Sequence, residues 1–216
     1  LVVDGHGHGS INPQLLHRRA RLFAGRPMGY PFLCDRGFAA AFSVGQHAKA
    51  NTDGGHLCHT GSFSVENETI NGVSVGEMGV NMLFCAYFHV PTVLVCGDEA
   101  AAVEARALVP SIETAAVKQG LRRGSAEGLT AEQNSRFNGG AIHLHPTRAR
   151  ELIRDRARAA LTRASEIQPF WLEPPYEREM ILRATEDEPR KIGRSHATDL
   201  LELLATPLQW EPLKAE

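Results

Sequence analysis

Apolar and polar positions along the chain predict alternating strands and helices over most of its length. Leu1 to Val3 is an apolar run that predicts a short strand ending at Asp4-Gly5-His6. Apolar and basic residues from Asn12 to Ala24 recur at helical spacing and predict a short helix, and the Pro- and Gly-bearing segment Gly25 to Pro31 predicts a loop. Phe38 to Val44 is nearly all apolar and predicts a fully buried strand. Gly45 to Gly61 is polar, long and rich in His and Gly, which predicts a functional loop. Ser62 to Ile70 alternates apolar and polar, and Asn71-Gly72 then predicts a hairpin returning through Val73 to Val75. Glu77 to His89 is apolar almost all round and reads as a buried helix. Pro91 to Cys96 is the clearest buried strand. It runs into Gly97-Asp98, where Asp98 is placed to cap the Ala-rich helix Glu99 to Leu108.

Ile112 to Val117 predicts another strand, Arg122 to Gly140 a loop, and Thr147 to Ile167 the longest helix, opened by Pro146. After Pro169 a strand over Glu179 to Ala184 and a helix over His196 to Ala205 are expected. This order predicts an α/β fold, a three-layer sandwich around a mainly parallel sheet. Residues 1–168 would form the α/β domain carrying the chemistry and residues 169–216 a smaller α+β part.

A length of 216 residues with 43% apolar content suffices for one sizeable core. The 23 basic and 25 acidic residues nearly cancel, and no basic block suggests a nucleic-acid partner. No apolar run approaches the roughly 20 residues that span a bilayer. Four cysteines without a C-x-x-C pair, and no signal-peptide pattern, point to a reduced, cytoplasmic protein. The chain opens on Leu1 within a predicted strand, which leads to the expectation that a segment precedes it.

Candidate chemistry gathers in short glycine-flanked motifs. These are Asp4-Gly5-His6-Gly7-His8, Gly45-Gln46-His47-Ala48, Cys58-His59-Thr60 and Gly76-Glu77-Met78-Gly79. Imidazole and carboxylate together suit zinc in a hydrolase. Asp4, His6 and His8 alternate and would share one face of an extended segment. His47 follows a predicted buried strand, where α/β folds place their ligands. Glu77 opens a helix, where the dipole alone is reason enough for a carboxylate; beside the histidines it becomes a candidate ligand. Of His56 and His59, one is expected to be a solvated loop residue. Lys118, at a strand end, is a candidate for holding a substrate carboxylate or an oxyanion. His143 and His145 read as the start of a helix, and Cys58 is a rival nucleophile.

In this order the motifs resemble the zinc D-aminopeptidases of the dipeptide-operon type. The likeness is strongest through Val75-Gly76-Glu77-Met78-Gly79-Val80-Asn81, Val90-Pro91-Thr92-Val93-Leu94-Val95-Cys96-Gly97-Asp98 and Thr114-Ala115-Ala116-Val117-Lys118-Gln119. The resemblance implies a metallo-aminopeptidase that removes N-terminal D-residues from short peptides by metal-activated water. It implies two zinc ions per subunit, with His6, His47 and Glu77 as ligands and His59 as the catalytic histidine. Chemistry alone leaves His59 open between base, oxyanion stabiliser and nucleophile. The family's Asp-x-Glu-Gly strand is absent from this sequence, so the ligand set here is incomplete. A homo-oligomer, a decameric ring, is also implied. The rival expectation is a non-catalytic binding or scaffold protein with the same fold and a degenerate metal site.

Overall fold

A computed structural model describes residues 1–6, 11–25 and 34–213, and its central strand is the one that the clearest apolar run predicts. β6 (Thr92–Asp98) is buried at every position, as a parallel strand covered on both faces must be. We number the other strands in chain order. β3 (Ala41–Gln46) and β7 (Glu113–Gly120) flank β6 in parallel, and β8 (Ala141–His143) adds antiparallel to β7. Two helices, α2 (Glu99–Leu108) and α4 (Pro146–Thr162), pack on β6 and β7, while α1 (Glu77–Tyr87) lies against β3 and β6. The expected α/β fold around a mainly parallel sheet is present.

A second, antiparallel sheet has the order β11-β10-β9-β4-β5. Its strands are β4 (Val65–Ile70), β5 (Val73–Ser74), β9 (Tyr176–Leu182), β10 (Lys191–Ala197) and β11 (Gln209–Pro212). Asn71 and Gly72 turn the β4–β5 hairpin with φ of 50° and 75°, the left-handed pair that a tight primed turn requires. The Asn71 side chain also accepts from the Glu177 N–H at 2.8 Å and donates to the Glu173 carbonyl at 2.8 Å, which seats the hairpin on β9.

The chain divides into two compact units, Leu1–Arg36 and Gly37–Glu216. In the first, β1 (Val2–Val3) pairs in parallel with β2 (Leu22–Phe23), and Asn12 caps one helical turn over Pro13–Leu15. In the second, Phe170, Tyr176, Leu200 and Leu203 share one core with Met78, Met82, Leu83 and the apolar residues of β6. The expected division at residue 168 therefore falls inside this unit.

Four of the expected elements differ from the structure. The helix expected over Asn12 to Ala24 is one short turn, because Leu22 and Phe23 pair with β1 instead. The strand expected to be fully buried at Phe38 to Val44 is β3. It is the edge of its sheet among the described residues, with Phe42 and Val44 exposed. The Arg122 to Gly140 segment contains α3 (Ala131–Phe137), started by a reciprocal capping box between Thr130 and Gln133. His196 belongs to β10, and α5 (Leu200–Ala205) begins only where the Asp199 side chain accepts the N–H groups of Leu201 and Glu202. The loop expected at Gly25 to Pro31 lies mostly outside the described residues.

β3 and β6 approach closely at their carboxyl ends. A Cβ built on Gly97, whose φ is +151°, would lie 2.1 Å from the Gln46 carbonyl oxygen. Gly97→Ala is expected to force these backbones apart and to cost about 1–3 kcal/mol, as overpacking does. Thermal unfolding checks this: an unchanged melting temperature would mean that the strands separate there without penalty.

Candidate metal centre

The loop between β3 and β4 brings two of the singled-out histidines together. His47 follows β3 directly, and His59 lies twelve residues on; both are buried. His47 Nδ1 is 2.9 Å from the Ala48 carbonyl, and His59 Nδ1 is 2.7 Å from that of Leu57. A carbonyl only accepts, so in each ring Nδ1 carries the proton and the neutral ring keeps its lone pair on Nε2. Both Nε2 atoms face Glu77, at 3.1 Å from Oε2 for His47 and 3.7 Å from Oε1 for His59. The two rings stack, with centroids 4.0 Å apart and planes 22° from parallel. Phe63 covers the other side of His59, its centroid 4.9 Å away.

Ligand atoms of these three residues lie within 4.8 Å of one another. Donors about 2.0–2.2 Å from a zinc ion sit roughly 3–4 Å apart, so the spacing suits one shared ion. A ring nitrogen tied to a backbone carbonyl is also what a zinc-ligating histidine ordinarily shows. On this donor set the residues fit zinc.

Glu77 is the first residue of α1, where the helix dipole favours a negative charge. Its Oε1 accepts the Gly61 N–H at 2.8 Å. Burial works against its ionisation, but the hydrogen bond from His47, the two imidazoles and the Gly61 amide outweigh it and hold the carboxyl below its ordinary range. Burial likewise works against charging His47, yet the Glu77 contact and the Ala48 carbonyl raise its basicity above the ordinary imidazole value.

His56 is buried, which corrects the expectation of a solvated residue in this pair. Its backbone N–H donates to Asp98 Oδ2 at 2.9 Å, and its ring meets His143 edge-on at 5.7 Å. Burial, then the Lys118 ammonium, push its basicity down. Lys118 lies on β7 in register with Asp98 and His143, close enough for its charge to oppose protonation of His47. His145 has the structural role expected of it, accepting the Thr147 N–H at the start of α4. Cys58 is buried and accepts from Asn138 Nδ2 at 2.9 Å; burial pushes its thiol up, which makes it a poor nucleophile. His6 follows β1 in the first unit, and His8 lies outside the described residues.

Sequence reasoning gave Asp98 the wrong partner and passed over Glu104. Asp98 occupies the N-cap position of α2, but its side chain caps nothing there and goes to His56. Glu104 Oε2 accepts the Lys49 N–H at 2.8 Å. Its signal was present, because helical spacing places Glu104 on the same side of α2 as the buried Ala101 and Ala105.

The opposed shifts of His47 and Glu77 set a pH window for the metal-free protein. The raised imidazole stabilises the fold below the unfolded histidine value and loses that effect as pH rises through its folded value. The lowered carboxyl stabilises above the unfolded carboxylate value and loses that effect as pH falls through its folded value. Under chelation, Glu77→Gln should therefore lower the melting temperature most near about pH 6 and least near about pH 9. An equal loss at both would show that the pair is not ionised.

Residues 1–188 match the model of a peptidase family described as D-aminopeptidase. The D-aminopeptidase of Bacillus subtilis (strain 168) is 33% identical over 178 residues; the match covers 81% of this chain, which spans 58% of that relative's length. The solved structure of the Zn-dependent D-aminopeptidase DppA from Bacillus subtilis, a self-compartmentalizing protease, superposes with a TM-score of 0.72 at 25% identity. That superposition covers 89% of this chain and 70% of the other. The chain belongs to the D-aminopeptidase family of peptidases.

Proposed function

We propose that this chain is a zinc-dependent aminopeptidase that hydrolyses N-terminal residues, D-configured ones, from short peptides. The observation that carries the reading is the pair of stacked imidazoles, each with Nδ1 tied to a carbonyl and Nε2 turned toward Glu77. Family membership supports it.

In this reading His47 and Glu77 hold zinc, and His6 joins them as the third ligand. Zinc, when bound, supplies Lewis acidity toward the scissile carbonyl and the attacking water. His59 is the catalytic histidine. Its proton on Nδ1 is fixed by Leu57, so Nε2 is the atom that takes up and returns a proton as the peptide bond breaks. The stack on His47 and the contact with Phe63 hold its ring in one orientation. Lys118 holds the substrate's carboxylate or the developing oxyanion, and the peptide amine lies beside the metal centre.

The self-compartmentalizing description of DppA supports a homo-oligomer here, a decameric ring. A cytoplasmic location accords with the buried, reduced Cys58; among the described residues no helix is long and apolar enough to cross a membrane.

Elemental analysis and peptidase assays test the division of roles. His47→Ala and Glu77→Ala should lose zinc. His59→Ala should keep zinc and lose about 10²–10⁴-fold in turnover, the usual worth of a general acid–base group. Loss of zinc in His59→Ala would make His59 a ligand instead, and a wild-type chain that binds no zinc would overturn the reading. Sedimentation tests the assembly, where a monomer at micromolar concentration would count against a ring.

A further inference from the structure

The loop carrying His47 and His59 has no regular secondary structure, and Asn51, Gly54, Leu57 and Gly61 all have left-handed φ. Such a segment cannot hold a ligand geometry by itself, because its backbone groups need outside partners. α2 and the residue at its N-cap position supply them at two points. Asp98 Oδ2 accepts the N–H of His56, three residues before His59, and Glu104 Oε2 accepts the N–H of Lys49, two residues after His47. Between these pins the loop rests on an apolar seat, where Ala48 and Cys58 pack on the fully buried Ala101. Asp98, Ala101 and Glu104 follow at three-residue spacing and line one side of the helix.

The loop's two limbs also hold each other. The His59 N–H donates to the Ala48 carbonyl at 3.3 Å, and the Ala50 N–H to Thr60 Oγ1 at 3.1 Å. Fixing Lys49 and His56 therefore fixes both histidines. Glu104 reaches the third ligand segment as well, since its Oε1 lies 3.5 Å from where a Gly76 Cβ would be, one residue before Glu77.

The two carboxylates are costly groups to place here. Asp98 is fully buried and Glu104 is 8% exposed, and among the described residues Asp98 Oδ1 and Glu104 Oε1 have no hydrogen-bond partner. A buried carboxylate with half of its acceptor capacity unused disfavours folding. Each nevertheless accepts a hydrogen bond from a backbone amide of the loop. Two such groups, one at the N-cap position of α2 and one on its second turn, each aimed at one limb of one loop, are explained by what they hold in place.

We propose that Asp98 and Glu104 are positioning residues, and that α2 acts through them as the platform that sets the His47–His59 geometry for the metal. The inference rests on the zinc reading of the site. Both act through hydrogen bonds to the loop backbone.

The test combines hydrogen exchange of the metal-free protein with zinc titration of the whole chain, in wild type, D98A, D98N, E104A and E104Q. In the alanine variants the amide of His56 or Lys49 should exchange faster, and zinc should bind about 10–100-fold more weakly. Asn and Gln keep an acceptor oxygen, so D98N and E104Q should stay within about threefold of wild type in zinc affinity. E104A with wild-type exchange at Lys49 and wild-type zinc affinity would overturn the proposal. So would E104Q losing zinc as fully as E104A. If D98A does not fold, E104A carries the test alone. A wild-type chain without zinc affinity would sink the underlying reading, and exchange at Lys49 would still decide whether Glu104 pins the loop.

Discussion

Two hydrogen bonds, from His47 Nδ1 to Ala48 and from His59 Nδ1 to Leu57, decide what this centre can bind. A histidine free to choose its tautomer presents a donor or an acceptor as its surroundings demand. Here the backbone makes the choice. Each ring uses a carbonyl within two residues of itself, so the tautomer is set locally, and the remaining fold has only to bring two prepared Nε2 atoms and one carboxylate to the same place. That division separates the chemistry, written into short stretches of chain, from the geometry, which needs the whole second unit.

The geometry comes from the ends of strands. His47 leaves β3, Asp98 ends β6 and Lys118 lies near the end of β7, so neighbouring parallel strands deliver their polar residues to one edge of the sheet. Gly97 lets the ends of β3 and β6 approach more closely than any side chain would allow. Glu77 arrives differently, at the start of a helix that follows the β4–β5 hairpin. There the hydrogen bond from His47, the two imidazoles and the Gly61 amide hold its carboxyl below the ordinary range despite its burial.

Much of this was legible in the sequence because the signals were local. Asn71-Gly72 dictates its own turn, the run through Val93 and Cys96 can only be a buried strand, and glycine-flanked histidines mark loops built for ligands. The misreadings share a physical cause. Whether Leu22 and Phe23 extend a helix or pair with a distant strand depends on the partner, and so does the exposure of Phe42 and Val44 on a sheet edge. His196 was assigned to a helix because its neighbours Leu200 to Ala205 are helical, whereas its strand is fixed by register with β9. A charge on an Ala-rich helix usually faces water, so its residue type alone does not mark Glu104 as buried. Thr130 and Gln133 carried a capping-box signal that the polarity of the surrounding segment obscured.

The pairing of β4 with β9 has a consequence for the order of events in folding. The histidine loop is the covalent link between β3, in the parallel sheet, and β4, in the antiparallel one. β4 gains its long-range partner only from Tyr176–Leu182, more than a hundred residues further along. Contacts that distant form late, since a long loop must close before they return any free energy. On a ribosome the histidine motifs emerge more than a hundred residues before β9, and until then β4 has only its hairpin partner β5. The residues of the centre thus lie well before β9 in the chain, and the strand that closes their loop has its full pairing only once β9 is in place.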